Sequence, residues 1–184
     1  LLIITALLLS SCASLSPNGV GRVKHYDFTD EAVPEGFNGY KIAFISDIHY
    51  PSLFNRTRLE KLTGRLRKES PDLLLLGGDY VTSEVYLNEL FDSLSAVNPK
   101  DGIYAVLGNH ERRYKDAALQ AMHDFDVNLL ADTVVEIERI PGVIYLAGVY
   151  DSFVYDSLVV QPTELVDNDA FVMLLCHTPD YAER

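Results

Sequence analysis

Four short apolar runs, each halted at residues able to hold a metal ion, constrain this chain more than any other feature. They are KIAFIS (41–46), DLLLLGG (72–78), GIYAVLG (102–108) and FVMLLC (171–176). Each is short and rich in apolar side chains, and turn residues flank them, so each reads as a β-strand. The uninterrupted leucines of DLLLLGG are expected of a central strand buried on both faces.

Between these runs the apolar period becomes helical. Residues 57–70 carry Leu59, Leu62 and Leu66 on one face, and residues 84–97 carry Val85, Leu87, Leu90, Phe91 and Leu94. Residues 114–125 also read as a helix, and VVEIERI (134–140) with VIYLAGV (143–149) read as a hairpin about Pro141-Gly142. Alternating strands and helices predict an α/β fold, with the strands in one sheet flanked by crossover helices. No internal repeat or second domain boundary is visible.

The chain has 184 residues, 48% of them hydrophobic, enough for one domain with a substantial core. Its formal charge of -12 argues against a nucleic acid partner, whose phosphates are recognised by clustered Lys and Arg. The one basic segment, Arg56, Arg58, Lys61, Arg65, Arg67 and Lys68, reads as the solvated outer face of a crossover helix. Contact with anionic lipid headgroups is the alternative. An acidic excess also suits carboxylates gathered around cations.

The opening LLIITALLLSSCAS holds an apolar run of about nine residues, too short to span a bilayer as a helix but suited to a signal-peptide core. Residues 1–11 are therefore expected to be a signal-peptide remnant whose true start precedes Leu1. Leu9-Ser10-Ser11-Cys12 resembles a bacterial lipobox, which implies lipidation of Cys12 and a membrane-anchored lipoprotein on the periplasmic side of the cell envelope. Residues 12–22 are then a tether and residues 23–184 the folded domain. With Cys12 so used, Cys176 is read as a buried small residue.

The strand ends carry the chemistry. The first run delivers Asp47 and His49, the second Gly77-Gly78-Asp79, the third Gly108-Asn109-His110-Glu111 and the fourth His177. In open α/β sheets ligands bind beyond the carboxyl ends of the strands, so four strands aim these groups at one region. Singly, each has a plainer reading: a turn for Gly-Gly-Asp, a helix cap for Asn109 or for His177 with Thr178-Pro179. Together they are the oxygen and imidazole donors that a pair of divalent transition metals uses. On an extended strand end, the i, i+2 spacing of Asp47 and His49 puts both side chains on one face. The glycines leave room for backbone to approach a metal and its phosphate.

The order SDIH, then Gly-Gly-Asp, then Gly-Asn-His-Glu, then a histidine after a hydrophobic strand in CHTPDYAER resembles the calcineurin-like metallophosphoesterases, most closely their bacterial membrane-associated branch. The likeness covers about residues 38–184. It implies an α/β sandwich of central β-sheets flanked by helices, with two divalent metal ions of manganese, iron or zinc. It further implies that Asp47 and His49 bind the first ion, Asp79 bridges both, and Asn109 and His177 bind the second. His110 would act at the leaving-group oxygen, and the nucleophile would be a hydroxide held by the metals. The substrate implied is a phosphate ester: phosphodiester, phosphomonoester or pyrophosphate, and with an anchored chain an envelope lipid-linked one.

The chain departs from that family pattern in one respect. The final Gly-His-x-His, which supplies one more ligand to each ion, does not occur before Arg184, and His25 and His123 do not fit its place. A domain incomplete at its C-terminus is the expectation; a catalytically inactive binding lipoprotein is the alternative. Arg112 and Arg113 are read as a solvated pair at a helix start, with contact to a substrate phosphate as the alternative, and Asp151 as a turn residue.

Overall fold

The computed structural model describes residues 19–149, 162–167 and 169–178. Its first sheet is wholly parallel, in the order β1 (Ile42–Ile45), β2 (Leu73–Leu76), β3 (Ile103–Ala105), β4 (Val127–Leu129). Helices α1 (Arg56–Glu69), α2 (Leu87–Ser95) and α3 (Lys115–Asp124) make the three crossovers. All three pack on one face, so each strand is laid down beside the last and the sequence order is the spatial order.

A second sheet, β5 (Thr133–Glu138), β6 (Val143–Gly148) and β7 (Val172–Leu175), covers the other face. The alternation of a strand's side chains divides the β2 leucines between the two layers. Leu74 and Leu76 meet the helices with Leu90, Phe91 and Leu94, while Leu73 and Leu75 meet Ile144, Leu146 and Leu175 of the second sheet. All four β2 leucines are buried, as their continuous apolar run requires.

The single sheet expected from the strand pattern is corrected to two. FVMLLC forms β7 but pairs in parallel with β6, Tyr145 opposite Val172, and β5 and β6 form the expected hairpin. The first run is also not buried as its composition suggests. β1 is the edge of its sheet, and Ile42 and Phe44, on the side facing the second sheet, are 42% and 58% exposed. Among the described residues the second sheet covers β2 and β3 but not β1.

Helix ends are set locally. Asn55 caps α1, its side chain accepting from the Arg58 N–H at 3.0 Å, and Ser70 ends that helix in the left-handed conformation. The segments expected as helices at 84–97 and 114–125 each begin with a 3-10 turn, Glu84–Tyr86 and Glu111–Tyr114. Among the described residues no helix is long and apolar enough to cross a membrane.

Candidate metal centre

The extended geometry expected for Asp47 and His49 is corrected. β1 ends at Ile45, and both residues adopt left-handed backbone conformations, φ 56° and 44°. The loop that carries them runs beside the loop after β2. The Asp47 N–H donates to Gly78 O at 3.0 Å, the His49 N–H to Asp79 O at 3.0 Å and the Tyr50 N–H to Tyr80 O at 2.9 Å. Those bonds hold the strained turns and satisfy backbone groups beyond the last strand residues. The side chains still converge, with His49 Nε2 3.8 Å from Asp47 Oδ1.

Asp79 is the hub. It too is left-handed, φ 55°, and it is only 4% exposed. Its Oδ2 lies 3.6 Å from His49 Nε2 and 3.8 Å from His110 Nε2, and its Oδ1 lies 3.7 Å from His177 Nε2. These gaps are too long for hydrogen bonds. They approach the spacing of about 3–3.5 Å that two donors of one ion adopt when each sits about 2.1 Å from the metal.

Two donor groups result, His49 with Asp79 and His110, and Asp47 with Asp79 and His177, the ligand atoms of each within 4.8 Å of one another. Carboxylate oxygen with imidazole nitrogen is a donor set that fits divalent transition metals, and Asp79 alone belongs to both groups. By proximity, then, Asp47 groups with His177 and His49 with His110, a partition that the family resemblance does not anticipate.

The neighbours orient these donors. His177 Nδ1 lies 2.7 Å from Gly77 O, so Nδ1 carries the proton and Nε2 is the acceptor nitrogen turned to Asp79. Ser46 Oγ donates to Asp47 Oδ2 at 2.5 Å, leaving Oδ1 on the His49 side. The His110 N–H donates to Asp79 Oδ1 at 3.0 Å, and the His49 and His110 rings meet edge to face, centroids 4.6 Å apart. Asn109 stands exposed between Gly108 and His110, both of whose N–H groups bind carboxylates of this centre.

Two glycines let the loops touch. A Cβ on Gly78, itself left-handed at φ 98°, would sit 2.6 Å from Gly108 N and 2.8 Å from His177 Nδ1. A Cβ on Gly108 would sit 2.5 Å from Asp79 N. Neither position has space for a side chain.

Glu111 was given no role by sequence reasoning. It is fully buried, and its carboxylate accepts from the Asp79 N–H at 2.9 Å, the Tyr80 N–H at 2.9 Å and the Gly108 N–H at 2.8 Å. The available signal was its place inside Gly-Asn-His-Glu, an acid in a ligand motif with no ligand to be.

The remaining candidates lie apart. Arg112 and Arg113 are exposed on the 3-10 turn, His25 is exposed in the leader and His123 is exposed on α3. Of the basic segment, Arg56 pairs with Glu89, Arg65 pairs with Glu69 at 2.6 Å, and Arg58 bonds Gly19 O at 2.6 Å. Cys176 is a half-buried free thiol, and burial raises its pKa. Cys12 and Asp151 lie outside the described residues.

The chain is similar to several known proteins. An uncharacterized metallophosphoesterase of Aquifex aeolicus is 32% identical over 168 residues, 86% of this chain and 62% of that protein. Phosphodiesterase YaeI of Escherichia coli is 34% identical over 87 residues, 46% of this chain and 30% of that protein. A zebrafish (Danio rerio) transmembrane protein with metallophosphoesterase domain is 28% identical over 127 residues, 66% of this chain and 29% of that protein. The chain thus spans less than two thirds of the length of each. The family profile for calcineurin-like phosphoesterase matches residues 40–182, a span that contains every strand-end donor converging on Asp79, and by that match the chain belongs to the calcineurin-like phosphoesterase family.

Proposed function

We propose that the protein is a metal-dependent phosphoesterase in which two divalent ions share Asp79. One observation carries this reading: a buried carboxylate faces three imidazole nitrogens at 3.6 to 3.8 Å, and both of its oxygens are so engaged. Asp47, His49, Asp79, Asn109 and His177 would hold the ions. When bound, the ions supply Lewis acidity and make a hydroxide nucleophile available near neutral pH.

His110 would be the catalytic residue. Its side chain is 38% exposed while that of Asp79 is 6% exposed, so of this pair the His110 ring is the one a substrate could reach. Its backbone N–H is fixed by Asp79 Oδ1, which leaves the ring to meet the leaving-group oxygen as proton donor or as stabiliser of transition-state charge.

The substrate is a phosphate ester, with the phosphodiester class favoured by the printed activity of the Escherichia coli relative. The leader LLIITALLLSSC supports anchoring through Cys12 at the envelope membrane, and an anchored enzyme would act on an envelope lipid-linked phosphate. The zebrafish relative, described as transmembrane, is compatible with work at a membrane.

The test is hydrolysis of bis-p-nitrophenyl phosphate and p-nitrophenyl phosphate by the full-length protein supplemented with manganese. Asp79→Asn should reduce turnover to background, and His110→Ala should lower kcat by roughly 100-fold or more. Variants as fast as the parent would refute the mechanism.

A further inference from the structure

We propose that Glu111 is a positioning residue: its buried carboxylate fills a backbone anion nest and thereby holds Asp79 in the conformation that lets one carboxylate serve both donor groups. This deepens the metal-dependent reading and rests on it for its catalytic consequence, though not for its structural one.

Gly78 and Asp79 are consecutive left-handed residues, φ 98° and 55°, and the N–H groups of Asp79 and Tyr80 converge on one carboxylate. Successive amides in such a turn form a concavity that attracts an anion. Here the anion is internal. Glu111 Oε2 accepts from Asp79 N–H at 2.9 Å and Oε1 from Tyr80 N–H at 2.9 Å.

The same Oε2 also accepts from Gly108 N–H at 2.8 Å. One side chain therefore ties the loop after β2, which bears Asp79, to the loop after β3, which bears Asn109 and His110. The left-handed region costs a non-glycine residue something, though Asp tolerates it better than most, and these bonds join those from the His49 and His110 N–H groups in keeping the Asp79 carboxylate aimed at His49 and His177. A carboxylate suits the task because it is an acceptor only, with lone pairs for all three N–H groups. An amide at the same place would turn an NH₂ against at least one of them.

The test measures amide hydrogen exchange and manganese binding on the full-length protein. In the metal-free parent, the amides of Asp79, Tyr80 and Gly108 should be protected to the level of the β2 amides; exchange at the rate of exposed loops overturns the proposal without any variant. Glu111→Gln should lose that protection while keeping it at Leu74. It should also bind its second manganese equivalent about 10–100-fold more weakly by calorimetry. The spin-coupled electron paramagnetic resonance signal of a manganese pair should then give way to that of isolated ions.

Leu90→Ala, a core change on α2 that touches no donor group, should lower Tm yet leave both metal equivalents and the coupled signal intact. If Glu111→Gln binds both equivalents as the parent does, Glu111 does not position the centre and the proposal fails, while the phosphoesterase reading stands. A parent that binds no manganese, with protection lost in Glu111→Gln, overturns the metal reading and leaves the restraint on Asp79 established.

Discussion

Asp79 depends on the residue it touches across the cleft. Gly108 is not in the left-handed region, so the obstacle to a side chain there is steric: the Asp79 carboxylate and, 2.5 Å from where a Cβ would stand, the Asp79 backbone nitrogen. Backbone cannot step aside as the end of a flexible side chain can. Gly108→Ala should therefore destabilise by about 1–3 kcal/mol, the usual cost of overpacking. It should do so by pushing apart the loops that Glu111 joins. Thermal denaturation and manganese titration of the variant check this: a lowered Tm and weakened metal binding are expected together. Unchanged metal affinity at lowered stability would mean that the loops move without disturbing the donors.

The elements are fastened at the opposite end of the strands by a second set of charges. Arg139, at the end of β5, reaches across to the first sheet and pairs with Asp72 at 2.8 Å and Asp101 at 3.0 Å, its guanidinium 4.6 Å from the centre of the Tyr40 ring. Burial alone would raise the Asp72 pKa, but the Lys41 N–H, Arg139 and Lys100 outweigh it and hold the carboxyl below its ordinary value. A pKa depressed in the folded state stabilises above the unfolded value, about 3.9, and that stability is lost as pH falls through the folded one. Arg139→Met should thus cost about 2 kcal/mol at pH 7 and flatten the acid limb of the stability curve below about pH 4. Urea titrations from pH 7 to pH 3 measure both. Such a clamp was not legible in the sequence, because Asp72, Asp101 and Arg139 share no spacing and meet only once two sheets stack. β4 was missed for a related reason: Val127–Leu129 is too short to show a period, and it is a strand because β3 offers it a partner, Ile103 to Val127. By contrast β2, β3, the hairpin and the convergence of Asp47, His49, Asp79, His110 and His177 could be read directly, since a continuous apolar run and the polar residues that end it are local signals. Asp47 and His49 converge as their spacing suggests, yet on a left-handed rather than an extended backbone, because their turns are held by bonds to the neighbouring loop.

At the scale of the whole molecule, the centre forms where two sheets converge, with Asp47, Asp79 and His110 on the parallel sheet's loops and His177 arriving from the other sheet. The chain already carries a charge of -12, and here it places the carboxylates of Asp47 and Asp79 within 4.8 Å of each other. At such a separation, like charges repel by about 1 kcal/mol in water and several times that in a partly buried site. Such a pair is expected to burden the metal-free fold, and a bound cation would relieve it. Asp79→Asn keeps a carbonyl oxygen to accept the His110 N–H while removing one of the two charges, so it separates the electrostatic role of Asp79 from its structural one. In chelator at pH 8, the full-length variant should melt at or above the parent's Tm. In manganese at about 100 times its Kd the parent should gain about 2.7 kcal/mol. For a domain of this size that is roughly 5–10 °C. The variant should gain little. Calorimetry of both proteins with and without metal gives the four Tm values required. A variant less stable than the parent by the same margin in both conditions would mean that Asp79 is needed for folding itself, and that the acidic cluster is no burden on the metal-free chain.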